Sequence, residues 1–175
     1  MRRRGLSTTT RSKFNAAEEF LTGGQGQKGE IWVGARRGLF RVDLNRSSWC
    51  VYPLPGEMID VQSVFKDRTD HLWFADSTGH VASYDPLNNT WVVYKLASLF
   101  NEGPREVNSI YQDRRGLIWF ATERGIVTLS QSRAEWRIYN ERNSGLSDND
   151  ITSIAEDSHG RIWIGTGQGI VILNP

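Results

Sequence analysis

Asn149 to Pro175 read Asn-Asp-Ile-Thr-Ser-Ile-Ala-Glu-Asp-Ser-His-Gly-Arg-Ile-Trp-Ile-Gly-Thr-Gly-Gln-Gly-Ile-Val-Ile-Leu-Asn-Pro. Apolar and polar residues alternate from Ile151 to Asp157, and this run ends in the turn sequence Asp-Ser-His-Gly. A second apolar run, from Arg161 to Gly165, centres on a tryptophan, and a third extends from Ile170 to Leu173. Apolar runs of this length separated by glycine turns predict three short β-strands joined by tight turns.

The same unit recurs through the chain, and its tryptophans give the period. The first series, spaced by 41, 46 and 44 residues, is Trp32, Trp73, Trp119 and Trp163. A second series, spaced by 42 and 45 residues and followed in each copy by Tyr three positions later, is Trp49, Trp91 and Trp136. A period in the low forties with four short strands, here named A to D in chain order, is typical of a β-propeller blade. The regular register favours tryptophans that pack between blades over tryptophans that stack on sugars.

The repeat predicts an all-β fold: a partial β-propeller of about four blades, each a four-stranded antiparallel sheet. We expect the blades at about residues 30–56, 57–103, 104–147 and 148–175. Residues 1–29 form a flexible or irregular leader in this prediction, because they show no sustained period and include a glycine-rich run. The first blade lacks a recognisable strand A, and the last lacks a Trp-x-x-Tyr strand D. Both end blades are therefore expected to be incomplete.

Composition excludes some partners. The 175 residues contain 21 basic and 20 acidic side chains, so no global field attracts nucleic acid. No run approaches the roughly 18 apolar residues of a membrane span, so we expect no membrane insertion by this chain. The basic N-terminus is not followed by the apolar segment of a signal peptide.

The turns between strands B and C supply the candidate site. Their polar residues differ from unit to unit while the flanking strands do not, and in a propeller these turns gather on one face with the D-to-A connections. Variation confined to loops on one face favours a binding function, although solvated turn residues would look the same. The predicted ligand contacts, for a carbohydrate or another small polar ligand, are Arg36, Arg37, Asp76, Thr78, Glu123, Arg124 and Gln168.

No catalytic constellation stands out. The three histidines are His71, His80 and His159, and the last lies in an A-to-B turn, on the face opposite the candidate site. No spacing of His, Cys, Asp or Glu indicates a metal site, and no Ser/His or Cys/His arrangement indicates a nucleophile. The sequence therefore predicts a protein that is not an enzyme and has no cofactor and no metal.

The repeats resemble the propeller repeats of two-component regulators, which occur in the sensor region of bacterial hybrid histidine kinases. The matching segments are Gly145–Asp157, Gly160–Thr166 and Gly169-Ile170, repeated as Val107–Asp113, Gly116–Thr122 and Gly125-Ile126. The resemblance implies a bacterial β-propeller outside the cytoplasmic membrane that senses a ligand, often a carbohydrate fragment. The chain departs from that context because it shows no signal peptide, membrane helix or kinase segment, which leaves a cytoplasmic location open. We therefore expect a fragment or truncated paralogue of a larger sensor.

Three functions stay open at this point. The first is a ligand-sensing module in signal transduction, and the second is a protein-interaction or assembly platform without a small ligand. The third is an enzyme like streptogramin B lyase, whose repeats look similar, although no His and Glu pair of its kind can be carried onto this sequence.

Open blade faces and unpaired strand edges promote association. We therefore expect self-association or a partner that completes the ring.

Overall fold

The structure is a computed structural model that describes residues 20–26, 29–36, 38–99, 103–104, 106–130 and 134–174. Residues 1–19, most of the predicted leader, lie outside the described residues. The described chain is built from β-strands apart from one short helix, α1 (Leu96–Leu99). None of the helical structure in this part of the chain is long and apolar enough to cross a membrane.

The strands form four antiparallel sheets, three of four strands and one of three. In chain order they are β1 (Phe20–Gln25), β2 (Glu30–Ala35), β3 (Gly38–Asp43), β4 (Ser48–Tyr52), β5 (Val61–Lys66), β6 (Leu72–Asp76), β7 (His80–Asp85), β8 (Thr90–Lys95), β9 (Val107–Gln112), β10 (Leu117–Thr122), β11 (Gly125–Ser130), β12 (Glu135–Tyr139), β13 (Ile151–Glu156), β14 (Ile162–Thr166) and β15 (Gly169–Leu173).

Each sheet is a meander in which consecutive strands pair, the arrangement that tight turns between short strands favour. The A strands of neighbouring sheets lie against one another: β1 contacts β5, β5 contacts β9 and β9 contacts β13. Strand A is therefore innermost in every blade. The prediction of an all-β partial propeller is confirmed.

The expectation of an incomplete first blade is wrong. Strand β1 pairs with β2 and supplies strand A, twelve residues before Trp32, as the repeat requires. Its sequence, Phe-Leu-Thr-Gly-Gly-Gln, does not predict a strand, because glycine is rare in strand interiors. Gly24 allows β1 to pack closely against the next blade. A Cβ at this position would lie 2.8 Å from Val64 Cγ1 and 3.0 Å from the Val64 carbonyl oxygen. The first blade thus begins inside the segment predicted as a leader.

The core lies between the blades. We call the face of a sheet that is turned to the next blade its leading face, and the opposite one its trailing face. Trp73, on the leading face of blade 2, packs edge to face against Phe120 on the trailing face of blade 3, with ring centroids 5.9 Å apart. In strand D the Trp and Tyr point to opposite faces, since Trp136 packs against blade 2 and Tyr139 against blade 4. The prediction that the first tryptophan series forms inter-blade core is confirmed for the three buried members, Trp32, Trp73 and Trp119.

An aspartate in the A-to-B turn secures the tryptophan of strand B in three blades. The indole N–H donates to the carboxylate six residues earlier, at 2.9 Å from Trp73 to Asp67, 3.0 Å from Trp119 to Asp113 and 2.9 Å from Trp163 to Asp157. The other carboxylate oxygen accepts two backbone N–H groups of the turn, as from Arg115 and Leu117 in blade 3. We call this arrangement the Asp–Trp clasp.

The turn under the clasp needs a left-handed residue at its fourth position. Gly116 and Gly160 occupy it with φ of 84° and 81°, and Asp70 adopts the same conformation with φ of 65°. An aspartate tolerates this region better than most side chains. The departure of the second unit from the Asp-x-x-Gly pattern therefore leaves its turn geometry unchanged.

Blade 4 has three strands, β13, β14 and β15, and its leading face has no neighbour among the described residues. Ile170 in β15 is 69% exposed, whereas Ile126, its equivalent in blade 3, is fully buried against blade 4. Ile172 is likewise exposed where blade 3 has the buried Thr128. The prediction of an incomplete last blade is confirmed for the described chain.

Candidate ligand-binding face

The B-to-C turns and the D-to-A segments share one face of the arc, which we call the turn face. Hydrogen bonds join them: the N–H of Ile59 donates to Asp76 Oδ2 at 3.0 Å, and the N–H of Glu106 donates to Glu123 Oε2 at 3.0 Å. In blade 4 the N–H of Gly167 donates to the Asp150 carbonyl at 3.0 Å. In blades 2 to 4 the segment that enters strand A is therefore fixed to the B-to-C turn of its own blade.

Asp76, a predicted ligand contact, is fully buried. Its carboxylate accepts hydrogen bonds from the N–H groups of Ile59, Thr78 and His80 and, at 2.8 Å, from the Thr78 hydroxyl. The His80 Nδ1 lies 3.2 Å from Oδ2. These partners use the acceptor positions of the carboxylate, so Asp76 organises the turn and presents nothing to solvent. Thr78 is half-buried, and its hydroxyl is part of the same network.

His80 is a residue of this face that the sequence analysis did not select. It is buried beside Asp76, and its Nε2 lies 3.9 Å from Oε2 of the exposed Glu57. Lys95 Nζ lies 3.5 Å from the same carboxylate oxygen. The spacing Asp-x-Thr-x-His, across a tight turn between two strands, was the signal that could have revealed it.

In blade 3 a threonine replaces the aspartate of blade 2. The Thr122 hydroxyl donates to the Gly125 carbonyl at 2.7 Å and accepts the N–H of Arg124 at 3.1 Å. Arg124 Nε lies 3.7 Å from Glu123 Oε1, so the two predicted contacts of this turn form an ion pair. Glu123 is half-buried and Arg124 exposed, which leaves the guanidinium accessible from solvent.

The remaining predicted contacts lie at the two ends of the arc. Gln168 is exposed on the turn of blade 4, where its N–H donates to Thr166 Oγ1. Arg36 is exposed on the turn of blade 1, and Arg37 lies outside the described residues. The exposed polar side chains of the B-to-C turns thus come from blades 1, 3 and 4, whereas the polar groups of the blade 2 turn hydrogen-bond to one another.

On the opposite face, the polar side chains of the A-to-B turns form hydrogen bonds that stabilise the fold. The Trp163 indole N–H, followed by the Arg161 guanidinium, holds the pKa of Asp157 far below its usual range by hydrogen bonding to the ionised form. Arg114 reaches from blade 3 to blade 4, where its guanidinium donates to the Ser158 and Asp157 carbonyls at 2.9 and 3.0 Å. These charged groups link adjacent blades and leave His159 as an exposed turn residue.

The described part of the chain offers no grouping of three or more His, Cys, Asp or Glu side chains that could hold a metal ion. His71 and His159 belong to A-to-B turns of different blades, and His80 belongs to the turn face. The turn face therefore carries separate hydrogen-bond donors and acceptors on a framework of β-sheets.

Comparison with known proteins agrees with the repeat. The family model described as two component regulator propeller matches residues 101–124 and 145–168. These segments contain strands β9, β10, β13 and β14 together with the turns that carry Glu123, Arg124 and Gln168. The resemblance to two-component regulator propellers is confirmed at these two copies. No curated protein sequence matches the chain.

Solved structures share the fold. The extracellular domain of a hybrid two-component system from B. thetaiotaomicron is similar with a TM-score of 0.75 and 24% identity over 89% of this chain and 21% of that one. The extracellular domain of a second such system from B. thetaiotaomicron has a TM-score of 0.74 at 22% identity, over 93% of this chain and 22% of that one. A catalytically inactive virginiamycin B lyase from Staphylococcus aureus, solved with quinupristin, has a TM-score of 0.71 at 14% identity, over 92% of this chain and 57% of that one. The chain therefore spans about a fifth of the length of the two-component domains.

Proposed function

We propose that this chain, with its two-component regulator propeller repeats, is a non-catalytic binding module of a bacterial sensor whose turn face contacts a small polar ligand such as a carbohydrate fragment. The observation that carries the proposal is the contrast within each repeat. The strand-B tryptophan recurs in all four blades and the Asp–Trp clasp in three of them, while the polar side chains of the B-to-C turns vary between blades. Variable side chains on a rigid framework are the usual basis of specificity in repeat proteins.

The proposed contacts are the exposed Arg36, Arg124 and Gln168, supported by the half-buried Thr78 and Glu123. Arg37 stays among them as a prediction from the sequence. Guanidinium and amide groups donate hydrogen bonds in fixed directions, which suits the hydroxyl groups of a sugar or a carboxylate on it. Asp76 acts indirectly here, by holding the turn of blade 2.

A thermal-shift screen against oligosaccharides, followed by calorimetry, tests this function. We expect at least one sugar to raise the melting temperature, and Arg124→Ala to weaken its affinity about tenfold, the cost of one charge-assisted hydrogen bond. Arg115→Ala, which changes an exposed arginine on the opposite face, is the matched control and should leave affinity unchanged. Alanine variants of all seven predicted contacts that leave every ligand's affinity unchanged would exclude the turn face.

The exposed apolar leading face of blade 4 favours a second function, a protein-interaction or assembly platform. Ile170 and Ile172 are exposed at positions that are buried in blade 3, and exposed apolar surface of this kind favours contact with another protein. We propose that a second copy, or a partner that completes the ring, covers it. Light scattering should then show association, and a well-folded monomer at high concentration would contradict self-association.

The lyase stays the least supported function, because the likeness to virginiamycin B lyase is one of fold. In the described residues His80 is buried and hydrogen-bonded within the turn of blade 2, and the other histidines lie on the far face. Metal-dependent opening of a cyclic depsipeptide by the purified chain would overturn the non-catalytic assignment.

A further inference from the structure

The B-to-C turn of blade 2 differs from the same turn in the other blades. It has three residues, 77–79, where the other blades have two. The strand that follows it begins with His80, whereas the corresponding strands of the other blades begin with a glycine, namely Gly38, Gly125 and Gly169. A Cβ at Gly125 would overlap the Tyr139 carbonyl group. The longer turn of blade 2 therefore accommodates a side chain at a position that is glycine in the rest of the repeat.

Hydrogen bonds in this turn fix the orientation of the His80 ring. The Thr78 hydroxyl donates its hydrogen to Asp76 Oδ2 at 2.8 Å, so its oxygen accepts from Nδ1 of His80 at 2.9 Å. The other neighbour of Nδ1 is the Asp76 carboxylate, 3.2 Å away, which is also an acceptor. The ring hydrogen therefore lies on Nδ1, and Nε2 of the neutral imidazole is left as a hydrogen-bond acceptor.

This Nε2 atom makes no hydrogen bond within the described chain, and it lies 3.9 Å from Oε2 of Glu57 in the D-to-A segment. The one enclosed side-chain nitrogen or oxygen without a partner among the described residues is Trp32 Nε1, so Nε2 of His80 is open to solvent. The Glu57 side chain is 80% exposed, and Lys95 Nζ lies 3.5 Å from its Oε2. Two acceptors and one cationic donor thus lie together at the surface of the turn face.

The two neighbouring acceptors suit a ligand with two adjacent hydroxyl groups. One hydroxyl can donate to Nε2 of His80 and the other to the Glu57 carboxylate, while the Lys95 ammonium donates to a hydroxyl oxygen. The charge of Glu57 disfavours a ligand carboxylate at this point, and Lys95 beside it disfavours a cation. The chemistry therefore favours a neutral vicinal diol, a group that most sugar rings carry.

His71 offers a comparison on the opposite face. Its Nδ1 lies 2.9 Å from the Thr69 hydroxyl, which donates to Asp67. Its Nε2 lies 3.8 Å from Asp85 Oδ2. The Asp85 carboxylate, however, accepts hydrogen bonds from side-chain and backbone N–H groups of its own turn. The carboxylate beside His71 is thus used within its turn, unlike that of Glu57.

We propose that His80, Glu57 and Lys95 form a subsite of the turn face that binds a vicinal diol of a neutral carbohydrate. The inference rests on the proposed function of this face and adds a contribution from blade 2. His80 and Glu57 accept hydrogen bonds from the two ligand hydroxyl groups. Asp76 is a positioning residue, because it holds the His80 ring directly and through Thr78.

Calorimetry with maltotriose, cellotriose and xylotriose, neutral sugars that carry vicinal diols, tests the subsite. We expect at least one of them to bind the intact chain, and Glu57→Ala to weaken its binding about tenfold, the cost of a hydrogen bond to a charged group. Glu57 is exposed, so this change should not disturb the fold. Glu135→Ala removes a glutamate that pairs with Arg137 near the C-to-D turn of blade 3, and as the matched control it should leave affinity unchanged.

Nitrogen NMR of the imidazole rings gives a second readout on the unchanged chain. The bound sugar should shift the Nε2 resonance of His80 and leave that of His71 in place. A sugar that binds without moving the His80 resonance, or that binds Glu57→Ala with undiminished affinity, would overturn the subsite and leave the function of the turn face standing. No binding of any of the three sugars would also overturn the subsite, while a response to another oligosaccharide in the thermal-shift screen would keep that function.

Discussion

Blades 1 and 3 bury the same tryptophan in two different ways. In blade 3 the indole N–H of Trp119 donates to Asp113, and its ring lies among aliphatic side chains of blade 4. In blade 1 the clasp residue is Gly26, and the indole N–H of Trp32 is buried without a hydrogen-bond partner in the described chain. Trp32 is instead surrounded by rings, with centroids 4.8 Å away for Tyr52 and 5.6 Å for Phe74.

The comparison separates what the aspartate does from what the tryptophan does. In both blades the N–H of the clasp position donates to the carbonyl four residues later, at 3.0 Å for Gly26 and Asp113. The carboxylate is therefore not required for this hydrogen bond to form. We infer that it stabilises the turn and satisfies the indole, and that aromatic packing compensates in blade 1.

Removal of the clasp should give the largest effect. Asp113→Ala leaves the Trp119 indole and two backbone N–H groups of the turn without their acceptor, so we expect a loss of about 3 kcal/mol in the free energy of unfolding. Urea denaturation measures it. Arg115→Ala, in the same turn, should change stability by less than about 0.5 kcal/mol. A loss below about 1 kcal/mol for Asp113→Ala would mean that packing alone holds blade 3 as well.

Replacing the two tryptophans with phenylalanine contrasts the blades directly. Trp119→Phe leaves a buried oxygen of Asp113 without its donor, whereas Trp32→Phe removes an N–H that had no partner. Similar packing is lost at both sites, so we expect Trp119→Phe to be the more destabilising by about 1–2 kcal/mol. The measurement is again urea denaturation, and equal losses would contradict the role given to the hydrogen bond.

A substitution at Gly24 tests whether the first blade is complete. Its added methyl group would overlap Val64 of the next blade, so Gly24→Ala should destabilise by about 1 kcal/mol, at the lower end of overpacking costs. Gly145→Ala is the matched control, because a Cβ there meets no atom within 4 Å. A flexible leader at residues 20–25 would instead tolerate Gly24→Ala with no loss in thermal stability.

The pH dependence of blade 4 should be the smallest effect. The pKa of Asp157 is lower in the folded chain than the value of about 3.9 in the unfolded one, so this carboxylate stabilises the fold above about pH 4. The contribution is lost as the pH falls below that value toward the folded pKa. The difference in melting temperature between the parent and Asp157→Asn should therefore be largest near neutrality and narrow on acidification. A difference that does not change with pH would contradict the assignment.

Much of this architecture could be predicted from the sequence, because the tryptophan spacing and the Asp-x-x-Gly turns are local signals that repeat. Strand β1 could not be predicted, since Gly24 is dictated by the approach of Val64 in another blade, a contact that the local sequence does not reveal. The role of Asp76 was missed for a similar reason. Its five contacts come partly from Ile59, which lies 17 positions away across the D-to-A segment.

The ligand side chains were harder to predict than the scaffold. A turn residue that varies between blades can face a ligand, solvent or its own turn, and the sequence does not distinguish these. The structure removes Asp76 from the accessible set by its burial and leaves Arg36, Arg124 and Gln168 exposed. Those three residues define the face on which the functional proposal depends.

An NMR titration with the oligosaccharide panel tests that proposal most directly, because backbone amide shifts locate binding without any substitution. We predict that a binding sugar shifts the amide resonances of Arg36, Arg124 and Gln168 on the turn face. Those of Arg115 and His159, in the opposite A-to-B turns, should stay in place. Shifts confined to the A-to-B turns, or no shift with any sugar, would contradict the account.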